Sequence, residues 1–142
     1  MLVYHGSSTL PIKTIPKGSP YNGVFVTPQK EFSQIFGSVI HIFEIDESSI
    51  LNLKNESHLL KVKSHPLFKT IEIHESTGLP FAFNHITTNE SLENMRKIAT
   101  DLGFYAAWFY ETALAQSIEV WDTATMTFVG SEENDRFDEL NE

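Results

Sequence analysis

The sequence predicts an α+β domain in which short strands outnumber helices. Three observations carry that expectation. SVIHIFEID (38–46) sets Val39, His41, Phe43 and Ile45 against Ile40, Ile42 and Glu44, the period of a strand buried on at least one side. NESLENMRKIATDLGF (89–104) places Leu92, Met95, Ile98 and Leu102 at helical spacing. The chain has 142 residues, 41% of them hydrophobic and 11 of them Phe, which suits one domain with a real core.

The elements follow in chain order. LVYHGSS (2–8) reads as a strand that ends at Gly6. TLPIKTIPKGSPYNG (9–23) holds three Pro and two Gly and reads as a loop. GVFVTP (23–28) reads as a short strand. Thr27 then offers a hydroxyl N-cap and Pro28 a first helical residue for QKEFSQIFG, with Phe32, Ile35 and Phe36 on one face and Gly37 as C-cap. After the 38–46 strand, residues 47–85 carry mixed signals: SSILNL fits a turn or a short helix, and Pro66 interrupts HLLKVKSHPLFKTIEIHES. In the helix over 89–104, Asn89 is the expected N-cap and Gly103 the C-cap. FYAAWFY (104–110), SIEVWD (117–122) and TMTFVG (125–130) read as strands, with ETALAQ (111–116) as a loop. The total is five or six strands and two clear helices.

Charge and composition narrow the function. Formal net charge is −9, of which −5 sits in SEENDRFDELNE (131–142), so a domain over 1–130 followed by a solvated acidic tail is expected. The acidic balance argues against direct binding of a phosphate backbone but fits a decoy for a basic partner. The absence of cysteine excludes disulfides, thiolate nucleophiles and Cys-based zinc sites, and fits a reducing, cytoplasmic setting. Residues 1–20 lack the charged start and apolar run of a signal peptide, and no stretch is apolar for long enough to suggest a membrane span. No metal site is expected, because the six His fall at no ligand spacing; with HExxH, GxGxxG, Walker A and GxSxG patterns also missing, hydrolase and metalloenzyme readings have little support.

Three stretches carry candidate chemistry. His5 is followed by Gly6, which lets a ligand approach the backbone, and by the hydroxyls of Ser7 and Ser8. An exposed N–H and C=O pair there would match the donor and acceptor edges of a carboxamide; a buried turn is the plainer reading. In YNGVFVTP, Tyr21 and Phe25 flank a strand start and would stack on a flat heteroaromatic ring, and Phe36 offers a similar face, unless these rings are core. In SIEVWD, Ser117, Glu119 and Trp121 share one strand face, so Glu119 pairs with a base, does chemistry or sits at the surface. Glu111 lies in the preceding loop.

Taken in order, His5-Gly6-Ser7, GVFVTP…FSQIFG and the acid-bearing SIEVWD resemble the ADP-ribosyltransferase fold family. YHGSS…YNGVFVTP with FEIDESSIL (43–51) resembles its small phage anti-CRISPR members, over residues 1–50 and 101–130. The resemblance implies short, mostly antiparallel strands in two packed sheets around an NAD cleft. It implies NAD as substrate: His5 on a ribose hydroxyl, Gly6 on the nicotinamide carboxamide with Ser7 beside it, Phe25 or Tyr21 stacked on the ring, and Thr27 and Phe36 lining the pocket. Glu119 would stabilise the oxocarbenium-like state as nicotinamide leaves. Aligned instead on Asp122, the family's acid falls on Ser117, and Glu111 would supply the carboxylate. The implied activity is mono-ADP-ribosyl transfer to a protein acceptor, such as a subunit of a type I CRISPR surveillance complex, in a bacterial cytoplasm. A non-catalytic acidic inhibitor and an NAD glycohydrolase are the competing expectations.

Overall fold

The computed structural model describes residues 1–7, 24–73, 89–110, 116–122 and 125–136. Within them lie β1 (Leu2–Ser7), β2 (Val24–Val26), α1 (Lys30–Ser33), β3 (Val39–Ile45), β4 (Ile50–Leu51), α2 (Glu56–Lys63), α3 (Asn89–Asp101), β5 (Ala106–Tyr110), β6 (Gln116–Val120) and β7 (Met126–Glu133). Short 3₁₀ turns occupy Glu47–Ser49 and Pro66–Thr70. This is a small α+β domain, as the patterning predicts.

The strands form two sheets, ordered β1-β3-β7 and β2-β6-β5-β4. All pairings are antiparallel except β4 with β5. Val3, Phe43, Ile45 and Met126 of the first sheet meet Val24, Val26, Ile118 and Val120 of the second in one core. The opposite side of the second sheet carries another core, in which Leu51 and Ala107 pack with Val62 of α2 and Met95, Ile98 and Ala99 of α3. The layers therefore run sheet, sheet, helices, and the hydrophobic burial on both faces of the four-stranded sheet stabilises it.

Local chemistry explains the element ends. Gly103 adopts φ +87°, its N–H bonds the Thr100 carbonyl and the Phe104 N–H bonds the Ala99 carbonyl, so α3 ends in a Schellman motif. Asn89, expected before the helix, is its first residue. Helix α1 differs more from expectation. It spans four residues with Gln29, not Thr27, at its N-cap. Gly37 does not cap it: a Cβ on Gly37 would run into the Ser7 backbone, so this glycine serves close packing against β1. Strand β1 extends one residue past Gly6, and β7 extends to Glu133, beyond the expected end at 130.

That extension moves the edge of the domain into the stretch expected as tail. Asn134 is buried, and its side-chain amide donates to the Gln34 and Gly37 carbonyls at 2.7 Å each. Glu132 pairs with Lys30, and Arg136 donates to the Gln34 side chain at 3.1 Å. Residues 131–136 thus brace the end of α1.

Candidate functional site

The two sheets part company at Thr27. Its N–H and C=O bond the Tyr4 backbone of β1 at 2.9 and 2.8 Å, while the three residues before it pair with β6. Strand β2 therefore leaves one sheet and touches the other, making a fork. A cavity of about 450 Å³ opens at this fork. Its wall includes Tyr4, His5 and Gly6 from β1, Phe25, Val26 and Thr27 from the β2 segment, Phe32, Ser33 and Phe36 from α1 and its end, and Ser117 from β6.

His5 is held by the fork itself. Its Nδ1–H donates to the Phe25 carbonyl at 2.6 Å, which leaves Nε2 as the acceptor of the neutral ring. Burial lowers the His5 pKa below its ordinary value; the bond to Phe25 works against this and the neighbouring His41 works with it. His41 faces His5 across the β1–β3 ladder, with ring centroids 6.2 Å apart, and its Nδ1 meets the Ser131 hydroxyl at 2.8 Å. His41 was legible only as an inward strand position in line with Phe43 and Ile45.

The aromatic residues form an open rim. Phe25 is 37% and Phe36 57% exposed. Each is propped edge-on by a second ring, Phe25 by Phe109 at 5.5 Å and Phe36 by Phe32 at 5.3 Å. Such rings offer a flat ligand a face on which to stack. Among the described lining residues none carries a formal charge apart from a protonated His5, so the wall suits a flat ring better than a phosphate.

The structure thus brings His5, Gly6, Phe25, Thr27 and Phe36 together, as the sequence expects, with roles that differ in detail. Gly6 is needed for chain packing: a Cβ there would run into the Ser33 carbonyl and the Phe36 Cβ. Its lack of a side chain admits α1 as well as shaping the cavity. The Thr27 hydroxyl donates to the Gln116 carbonyl at 2.8 Å and accepts from the Gln29 N–H at 3.0 Å, so it ties β6 to the fork. Ser7 is not among the lining residues. Tyr21 and Glu111 lie outside the described residues.

Glu119 is not brought to the cavity wall. It sits two residues along β6 from Ser117, on the same strand face; both are buried, Glu119 completely. Its Oε1 accepts from Arg96 Nη2 of α3 at 2.6 Å and from Trp121 Nε1 at 2.9 Å. The Arg96 guanidinium also lies 5.8 Å from the Trp121 ring centre. Of the choices open to an acid on this strand, pairing with a base is the one the fold makes. The place at the cavity belongs to Ser117, the residue picked out by the alternative alignment on Asp122.

Among the described residues, no group of three or more His, Asp or Glu side chains is placed to hold a metal ion. No helix among them is long and apolar enough to cross a membrane.

The fold is similar to that in a crystal structure of an anti-CRISPR protein, with a TM-score of 0.52, 18% identity and 94% of each chain covered. At that identity the likeness concerns the fold. No family model matches the sequence, and no curated protein matches it.

Proposed function

We propose that this protein is an anti-CRISPR-type inhibitor that uses NAD to ADP-ribosylate a protein of a type I CRISPR surveillance complex in the bacterial cytoplasm. The observation that carries this reading is the fork cavity, where a neutral imidazole acceptor, a hydroxyl and two exposed Phe faces converge on a space suited to a nicotinamide riboside moiety. The fold likeness to an anti-CRISPR protein supports the biological setting.

In this reading the nicotinamide ring stacks on Phe25 or Phe36 and His5 Nε2 accepts a hydrogen bond from a ribose hydroxyl. The C–N bond between nicotinamide and ribose breaks, nicotinamide leaves with the bonding pair, and a nucleophile of the acceptor protein attacks the anomeric carbon. The positive charge that develops on the ribose calls for a carboxylate. Glu111 is our candidate, since Arg96 already engages Glu119.

The test is a labelled-NAD assay with a purified type I surveillance complex. Label on a protein subunit, lost in Glu111→Ala, is the expected result. A second reading, a non-catalytic inhibitor, is favoured by one observation: no carboxylate is found among the described residues that line the cavity. Inhibition of the complex without NAD and without label would establish it instead. Nicotinamide release with no labelled acceptor would mark hydrolysis.

A further inference from the structure

The ladder between β2 and β6 pairs Val24 with Val120, Phe25 with Glu119 and Val26 with Ile118. Continued in register, it would set Pro28 opposite Gln116. Thr27 turns its backbone groups to Tyr4, so the residue after it is the one that faces β6. Pro28 has no N–H to give the Gln116 carbonyl. Two side chains act in its stead. The Thr27 hydroxyl donates to the Gln116 carbonyl at 2.8 Å, and the Gln116 N–H donates to Gln29 Oε1 at 3.1 Å.

We infer that Gln29 is a positioning residue of the fork cavity: with Thr27 it replaces the ladder bonds lost at Pro28, fixes the first residue of β6, and so sets Ser117 on the cavity wall. Neither bond is local, since 87 and 89 residues separate the partners. Gln29 itself is absent from the lining residues, so it acts through β6 and not on a ligand. A strand end held by backbone bonds alone would need a regular residue at position 28. The proline instead ends the ladder, and the side chains pin β6 beside the opening.

The kinetic arm of the test rests on the NAD reading above; the structural arm does not. Wild type, Gln29→Leu and Gln29→Glu are compared by amide hydrogen exchange at Gln116 and Ser117, by NAD affinity and by nicotinamide release. Leucine removes the acceptor and glutamate keeps one. Loss of the bond should speed Gln116 exchange in Gln29→Leu about tenfold. Release should slow by about tenfold or more while NAD affinity changes less than about threefold, because misplacement near reacting groups costs rate before binding. Gln29→Glu should restore both. Gln29→Met, which keeps the chain length and also lacks the acceptor, is expected to give the same split and serves if Gln29→Leu does not fold. Unchanged Gln116 exchange, or slowed release that glutamate does not restore, overturns the inference. If the wild type neither binds NAD nor releases nicotinamide, the NAD reading falls, and exchange at Gln116 alone decides the positioning claim.

Discussion

Ser117 and Glu119 share one face of one strand, two residues apart, and meet opposite fates. Glu119 lies under α3, wholly buried, with Arg96 delivered to it by that helix. Ser117 lies at the fork, beside a cavity rimmed by Phe25 and Phe36. The strand supplies the same alternation to both; what differs is the layer above. Where a helix packs, a carboxylate survives only by meeting a cation, because an unpaired buried charge is costly. At the fork Ser117 is also buried, but the space above it is a cavity walled by α1 and rimmed by exposed rings, where a small hydroxyl can serve a ligand. What each side chain meets is therefore set by the layer above it and not by its strand face.

The contrast is broken most severely at Glu119. Glu119→Ala leaves the Arg96 guanidinium without its carboxylate and should cost about 3–5 kcal/mol in denaturant unfolding. A loss below about 1 kcal/mol would mean that the pair is not the buried anchor described here. Gly6→Ala comes next. The added methyl meets the Ser33 carbonyl, so α1 must shift, at an expected cost of about 1–3 kcal/mol in the same measurement. An unchanged unfolding midpoint would show that α1 gives way freely.

Ser117→Ala should cost no more than about 1 kcal/mol in unfolding while slowing nicotinamide release. A loss matching that of Glu119→Ala would erase the distinction between the two positions. Phe36→Ala removes a ring that is 57% exposed, so unfolding should change by only about 0.5 kcal/mol. Its effect should appear instead as lost ligand affinity in a titration; equal affinity would remove Phe36 from the site.

The smallest effect is shared by both regions. Burial lowers the pKa of His5 at the fork, and also that of His58, whose Nδ1 accepts the Asn52 N–H near the helices. As pH falls through 6.5, the ordinary value for both, the unfolded chain takes up protons that the folded chain refuses. Stability should therefore decline on acidification from that point until the lower folded pKa values are reached. Denaturant midpoints across this range check it, and His58→Gln should flatten the slope. A midpoint that rises on acidification would contradict the assignment.

Local rules made much of this legible. Period-two spacing marked β3, and period-3.6 spacing with Gly103 marked α3, because each depends on neighbours in sequence. His5, Gly6, Phe25, Thr27 and Phe36 converge as the ordered motifs suggest. The misses are long-range. Nothing near Glu119 announces Arg96, which lies 23 residues earlier on another element. Gln29 looked like the opening of a helix, yet its side chain completes a ladder with a strand 87 residues away. Gly6 looked ready for a ligand, but its bare backbone first admits α1. The 131–136 segment read as solvated acid because its charges hid Asn134, whose two backbone acceptors belong to the end of α1.

The central claim is that the fork cavity takes NAD, and calorimetric titration of NAD into wild type and His5→Ala tests it most directly. The account predicts saturable binding by the wild type that weakens about tenfold or more when the imidazole acceptor is removed. No binding at millimolar NAD, or binding undiminished in His5→Ala, would contradict it.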